Sequence, residues 1–129
     1  MTYGEKAREL KDTLNCGQSV LVALNELTGL DEKTAKAIST GLGGGLRCGE
    51  TCGAYCGAVL AIGMTVGADG MGRPGGRVAD MVKAFSDEFK EQFDSIRCEE
   101  LLGKSGGDHS VCYDFCAWCA DRAAELIGE

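Results

Sequence analysis

Six of the eight cysteines fall into two trios, Cys48, Cys52 and Cys56 at intervals of four, and Cys112, Cys116 and Cys119 at intervals of four and three. Such spacing matches the turn of an α-helix, so helical continuation would align each trio along one face. No segment alternates apolar and polar residues long enough to read as a strand, and no internal repeat is visible. The expectation is an all-α chain, an irregular bundle of about five to six helices in a single domain over residues 1–129. At 129 residues such a domain can complete one hydrophobic core.

Along the chain, residues 3–14 are polar with sparse apolar positions. Asn15 can cap a following helix whose apolar face uses Val20, Leu21, Leu24 and Leu27, and Gly29 ends it. Asp31 then caps a short helix over 32–40, with Ala35 and Ile38 turned inward. The run Gly41-Leu42-Gly43-Gly44-Gly45-Leu46 carries too many glycines for regular structure. It also lacks the Gly-Lys-Ser/Thr ending and the preceding strand of a phosphate loop. A helix is expected over 51–64, where Gly53 and Gly57 leave a nearly smooth face on which another helix can pack closely. Residues 67–76 read as an exposed connector. The clearest amphipathic helix runs from about Arg77 to Ile96, with Phe85, Phe89 and Phe93 on its apolar stripe. Cys98 opens a short turn, and a last helix extends from about His109 to Ile127.

A net charge of −7 excludes a phosphate-binding surface of clustered Lys and Arg, so no nucleic-acid partner is expected. No stretch approaches the roughly 20 apolar residues of a membrane span. The opening Met1-Thr2-Tyr3-Gly4-Glu5-Lys6 has no basic segment before an apolar run, which places the expected location in the cytoplasm. Reducing conditions there disfavour a disulfide framework, leaving metal binding or redox chemistry as the explanation for so many cysteines.

Cys16 and Cys98 sit at expected helix starts, and Cys52 is similarly placed. There, unpaired backbone N–H groups and the helix dipole favour thiolate over thiol. Thiolates hold iron–sulfur clusters, and nearby N–H groups tune their potential. The tertiary expectation is that Cys16, Cys52, Cys98 and one cysteine of the last helix meet. A structural zinc site fits poorly, because only Cys116 and Cys119 form a C-x2-C pair. The spacing Cys112-x3-Cys116-x2-Cys119 copies that of radical SAM enzymes, whose barrel this chain is too short to build. Taken singly, Cys56 and Cys119 suit an apolar interior, where cysteine behaves as a small hydrophobe. His109, the only histidine, suits a solvated cap better than a catalytic group. The pairs Glu99-Glu100 and Asp87-Glu88 read as solvated helix residues.

The segment Cys52-Gly53-Ala54-Tyr55-Cys56-Gly57 has the form C-G-A-x-x-G. Around it lie Asn15-Cys16, Gly49-Glu50-Thr51, Arg97-Cys98-Glu99-Glu100-Leu101-Leu102-Gly103 and a late cysteine before Ala123-Ala124-Glu125-Leu126. This ordered set resembles the C_GCAxxG_C_C family of redox-active proteins across nearly the whole chain. The resemblance implies a small helical protein with four signature cysteines, related to the cluster-bearing part of split-Soret cytochromes c, and hence an iron–sulfur centre of the 2Fe–2S type. It implies an oxidoreductase or transporter component as redox partner, and leaves a homodimer open. Carried over by position, the signature falls on Cys16, Cys52, Cys98 and Cys116, the last judged by its distance to Ala123-Ala124, with Cys112 as the competing choice. Cys48, Cys56, Cys112 and Cys119 depart from the pattern and are secondary candidates for metal. No C-x-x-C-H motif is present, so no haem is expected.

The leading expectation is therefore a cluster-binding electron carrier or redox accessory protein rather than a stand-alone catalyst. A thiol–disulfide redox protein or sensor without metal is the alternative. A helical interaction module with merely structural thiols is the third.

Overall fold

In the computed structural model, which describes residues 1–67, 70 and 72–128, helices α1 (Tyr3–Leu10) and α2 (Cys16–Ala23) open the chain. A short α3 (Asn25–Thr28) and α4 (Glu32–Ser39) follow. After a glycine-rich crossing come α5 (Gly53–Val66), α6 (Arg77–Phe93), α7 (Cys98–Lys104) and α8 (Val111–Gly128). The eight α-helices among the described residues exceed the five to six expected, and each difference has a local cause. Helix α1 is polar, yet Thr2 and Glu5 close a capping box at its start. Its underside reaches α8 through the Gly4 N–H, which donates to Asp121 Oδ1 at 2.7 Å. The expected helix after Asn15 divides at Leu24, whose backbone leaves helical geometry, and Gly29 at φ 78° closes the second piece. The segment read as a turn after Cys98 is one short helix.

Other boundaries moved little. Asn15 caps α2 in a capping box with Gln18. Helix α6 stops at Phe93, short of Ile96, because Asp94 turns left-handed at φ 76°. Ile38, expected to face inward, is 49% exposed, whereas Ala35 is buried. The expected connector over 67–76 falls partly on residues outside those described; Gly70, Gly72, Arg73, Pro74 and Gly75 are exposed. Among the described residues there is no strand, only an isolated antiparallel bridge between Thr51 and Arg97. No described helix is long and apolar enough to cross a membrane.

Helices α2, α5 and α8 pack at the centre, with α1 against α8 and α2, α4 on α2, and α6 beside α5. The α2–α5 crossing is close because the smooth face of α5 is used there. A Cβ on Gly57 would stand 2.7 Å from the Gly17 carbonyl oxygen, and one on Gly53 would stand 2.6 Å from that of Leu42. Ala54, Ala58 and Ala61 of the same helix are fully buried. On the other side of α5, Tyr55 joins an aromatic cluster with Phe85, Phe89 and Phe93 of α6 and Phe115 and Trp118 of α8. Its ring centroids lie 4.9 Å apart for Phe89–Phe93 and for Phe93–Phe115. These phenylalanines are core, as their helical spacing suggested.

Candidate functional site: a cavity walled by thiols

The close α2–α5 crossing has a chemical consequence, because each of these helices begins with a cysteine. Cys16 is the first residue of α2, Cys52 is the N-cap of α5, and Cys98 is the first residue of α7. Two backbone hydrogen bonds join the last two starts. Cys52 N–H donates to the Ile96 carbonyl at 2.7 Å, and Cys98 N–H donates to that of Glu50 at 2.6 Å. Outside this bridge, the exposed Arg97 guanidinium contacts the Glu50, Glu99 and Glu100 carboxylates. Sequence spacing alone could not bring 16, 52 and 98 together. The crossing and the bridge do so.

A cavity of about 200 Å³ opens at this junction, and its wall carries Cys16, Cys52, Cys98 and Cys112. Its volume is far above the ~15 Å³ that a single water needs. Cys112, near the start of α8, supplies the fourth thiol. Cys116, one turn further, is fully buried, lies outside the cavity wall, and donates its S–H to the Cys16 carbonyl at 3.8 Å. Cys119 is fully buried deeper in the core, and Cys56 is half-buried; neither is on the wall. Cys48 is exposed, with its S–H directed at the Gly45 carbonyl.

The roof is the glycine-rich crossing, and its conformation is unusual. Gly44, Gly45, Leu46 and Arg47 are all left-handed, with φ of 62°, 62°, 62° and 63°. For Leu46 and Arg47 this costs roughly 1–2 kcal/mol each, strain of the kind that persists only where surrounding structure imposes it. Gly45 is required there: a Cβ on it would lie 2.5 Å from Cys98 Cβ. The turn leaves Leu46 exposed while Arg47 joins the cavity wall, together with Lys11 and His109. No sequence signal marked Lys11 and Arg47 as site residues, and only the tertiary path of the chain brings them in.

The helix starts do not make thiolates. Burial pushes Cys52 up to about 12, although the N–H groups of Tyr55 and Ala54 pull the other way. At Cys16 the Cys112 thiol pulls the value down, but Cys116 and burial outweigh it and the result is also about 12. Cys112 is raised by its contact with Cys16 and by burial, and Cys98 by burial and the neighbouring Cys112. Burial also raises Cys56 and, strongly, Cys119, while the Lys11 ammonium pulls Cys16 and Cys112 down. The expectation of thiolates at helix starts is thus corrected. Desolvation and thiol crowding exceed the dipole effect, so Cys16, Cys52, Cys98 and Cys112 are held as neutral thiols at pH 7.

The donor set can be tested against the groups it would hold. Among the described residues, no three His, Cys, Asp or Glu side chains converge as ligands of one metal ion. A single ion needs its donors about 2.3 Å from a common point. Thiols set around a volume instead suit a polynuclear centre with its own bridging atoms. All four are sulfur donors, and the backbone N–H groups of Ala54 and Tyr55 reach the Cys52 sulfur. The residues present fit an iron–sulfur centre.

Fold and site together define an all-helical, cysteine-rich protein with four thiols on the wall of one cavity. The family model described as "Putative redox-active protein (C_GCAxxG_C_C)" matches residues 14–129. The chain belongs to that family. No curated protein and no solved structure matches it.

Proposed function

We propose that Cys16, Cys52, Cys98 and Cys112 hold an iron–sulfur centre, of the 2Fe–2S type, and that the chain carries electrons to or from a redox partner protein, an oxidoreductase or transporter component. The observation that carries this reading is the cavity wall itself, with thiols contributed by four helices to one volume. Such a centre supplies one-electron chemistry. The chain's part is to position the four sulfurs, to place backbone N–H groups on the Cys52 sulfur, and to limit water through Phe115, Leu101 and the roof. Because the thiols are neutral in the free chain, uptake releases protons and strengthens as pH rises.

Protein purified without oxygen and given ferrous iron and sulfide should develop charge-transfer absorption in the visible and retain both elements after desalting. A colourless product free of iron would overturn the proposal. Replacing Cys112 by Ser should abolish retention and replacing Cys116 should not, which separates the two candidates for the fourth ligand.

A second reading has its own support, the mutual contact of the Cys16 and Cys112 thiols. These two could close a disulfide, passing two electrons and two protons to a small disulfide oxidant that leaves as two thiols. Mass spectrometry of alkylated protein would then reveal a discrete, reversible Cys16–Cys112 bond.

A further inference from the structure

The chain has 20 acidic and 13 basic residues, yet the cavity reverses that balance. Lys11, Arg47 and His109 stand on its wall and no Asp or Glu does. Among the described residues six of the thirteen Lys and Arg form ion pairs with carboxylates, as in Arg8–Asp114 at 2.7 Å and Lys104–Asp94 at 2.8 Å. Among the described residues Lys11 and Arg47 make no ion pair. The Lys11 side chain is half-buried, and its ammonium lies 5.4 Å from the centroid of the Tyr113 ring, a cation–π contact that holds it beside the cavity. The acids on either side are engaged elsewhere: Asp12 accepts from Tyr113 OH at 2.9 Å, and Asp108 accepts from Ser110 N–H and Oγ–H. A half-buried cation that makes no ion pair is stabilised by an anion placed beside it in the cavity.

We propose that Lys11, seconded by Arg47, is a charge-compensating positioning residue, and that the thiol cavity takes an occupant bearing net negative charge. The inference rests on and deepens the reading of the cavity as an iron–sulfur site, since thiolates and sulfides together outweigh the charge of the irons they hold. Its chemistry is general to anions, and so it can be tested with and without iron. The field of Lys11 stabilises the more negative, reduced form of a centre. Its removal should therefore lower the midpoint potential.

Two measurements decide the matter. In the metal-free chain, cavity thiols should react with anionic iodoacetate faster, relative to neutral iodoacetamide, than the exposed Cys48 does. Lys11→Met should reduce that ratio severalfold at Cys16 and Cys112 and leave it unchanged at Cys48. Taking a ratio cancels any change in thiol acidity, which affects both reagents alike. In protein loaded with ferrous iron and sulfide, Lys11→Met should keep its iron while its reduction constant falls about tenfold, ~59 mV for one electron, and Lys11→Arg should restore the wild-type value. Should Lys11→Met fail to fold, Arg47→Met carries the same measurements. Failure of the wild type to take up iron would sink the iron–sulfur reading alone, and the alkylation ratio would then decide this inference. An unchanged ratio, or an unchanged potential at full iron content, would overturn it.

Discussion

Cys112 and Cys119 stand two turns apart on one helix, yet they occupy different chemical worlds. At the cavity end of α8, Cys112 faces three thiols from other helices, two unpaired cations and open volume. Further along, Cys119 is wholly buried in the core, its thiol raised well above the ordinary value by desolvation. Close packing governs the second region, and loop geometry governs the first. Residue type therefore says little about surroundings here, because the same side chain lines a cavity in one place and fills the core in the other.

The comparison breaks most directly by substitution. Cys52→Ser or Cys112→Ser should cut retained iron and sulfide at least about tenfold, whereas Cys119→Ala should leave both at the wild-type level. Equal losses in all three would erase the distinction between the regions.

The next effect is on pH dependence. Cys16 and Cys52 titrate near 12 in the folded chain against 9.0 for an ordinary thiol. The folded state thus keeps protons that the unfolded state releases above pH 9. Their stabilising contribution is complete below about 9 and is lost as pH rises toward 12. The denaturant midpoint of metal-free protein should fall across that window. Iron-loaded protein, whose thiols have already lost their protons, should decline less.

Packing at the seam comes third. Gly57→Ala drives a methyl group against the Gly17 backbone and should cost about 1–3 kcal/mol, read by urea unfolding. Truncating Cys119 to Ala should cost about 1 kcal/mol through a small cavity. The smallest effect is at the roof, where Leu46→Gly relieves a left-handed residue and should leave stability equal or raise it by up to ~1 kcal/mol.

Part of the first region was readable because α2 begins with a recognisable cap. Asn15 marked the start that carries Cys16, and the Gly53/Gly57 face announced a close crossing. Helix α1 escaped notice because it is polar, and its stability comes from a capping box and from docking on Asp121 of α8. The roof was illegible in detail. Leu46 and Arg47 prefer right-handed or extended backbone, and nothing local predicts that they turn the other way.

By itself the amino-acid order determined the helical class, because apolar residues recur at the period of the helix, and it placed Cys16, Cys52 and Cys98 at helix starts, because the change of pattern that opens a helix is local. Tertiary structure alone chose Cys112 over Cys116 for the cavity wall. The two lie one turn apart on a single stripe, and only the position of the α2 start, whose Cys16 carbonyl takes the Cys116 S–H, assigns one to the interior and leaves the other facing open volume. Thiol acidity was settled the same way, since desolvation depends on every neighbouring element and not on the helix that carries the sulfur.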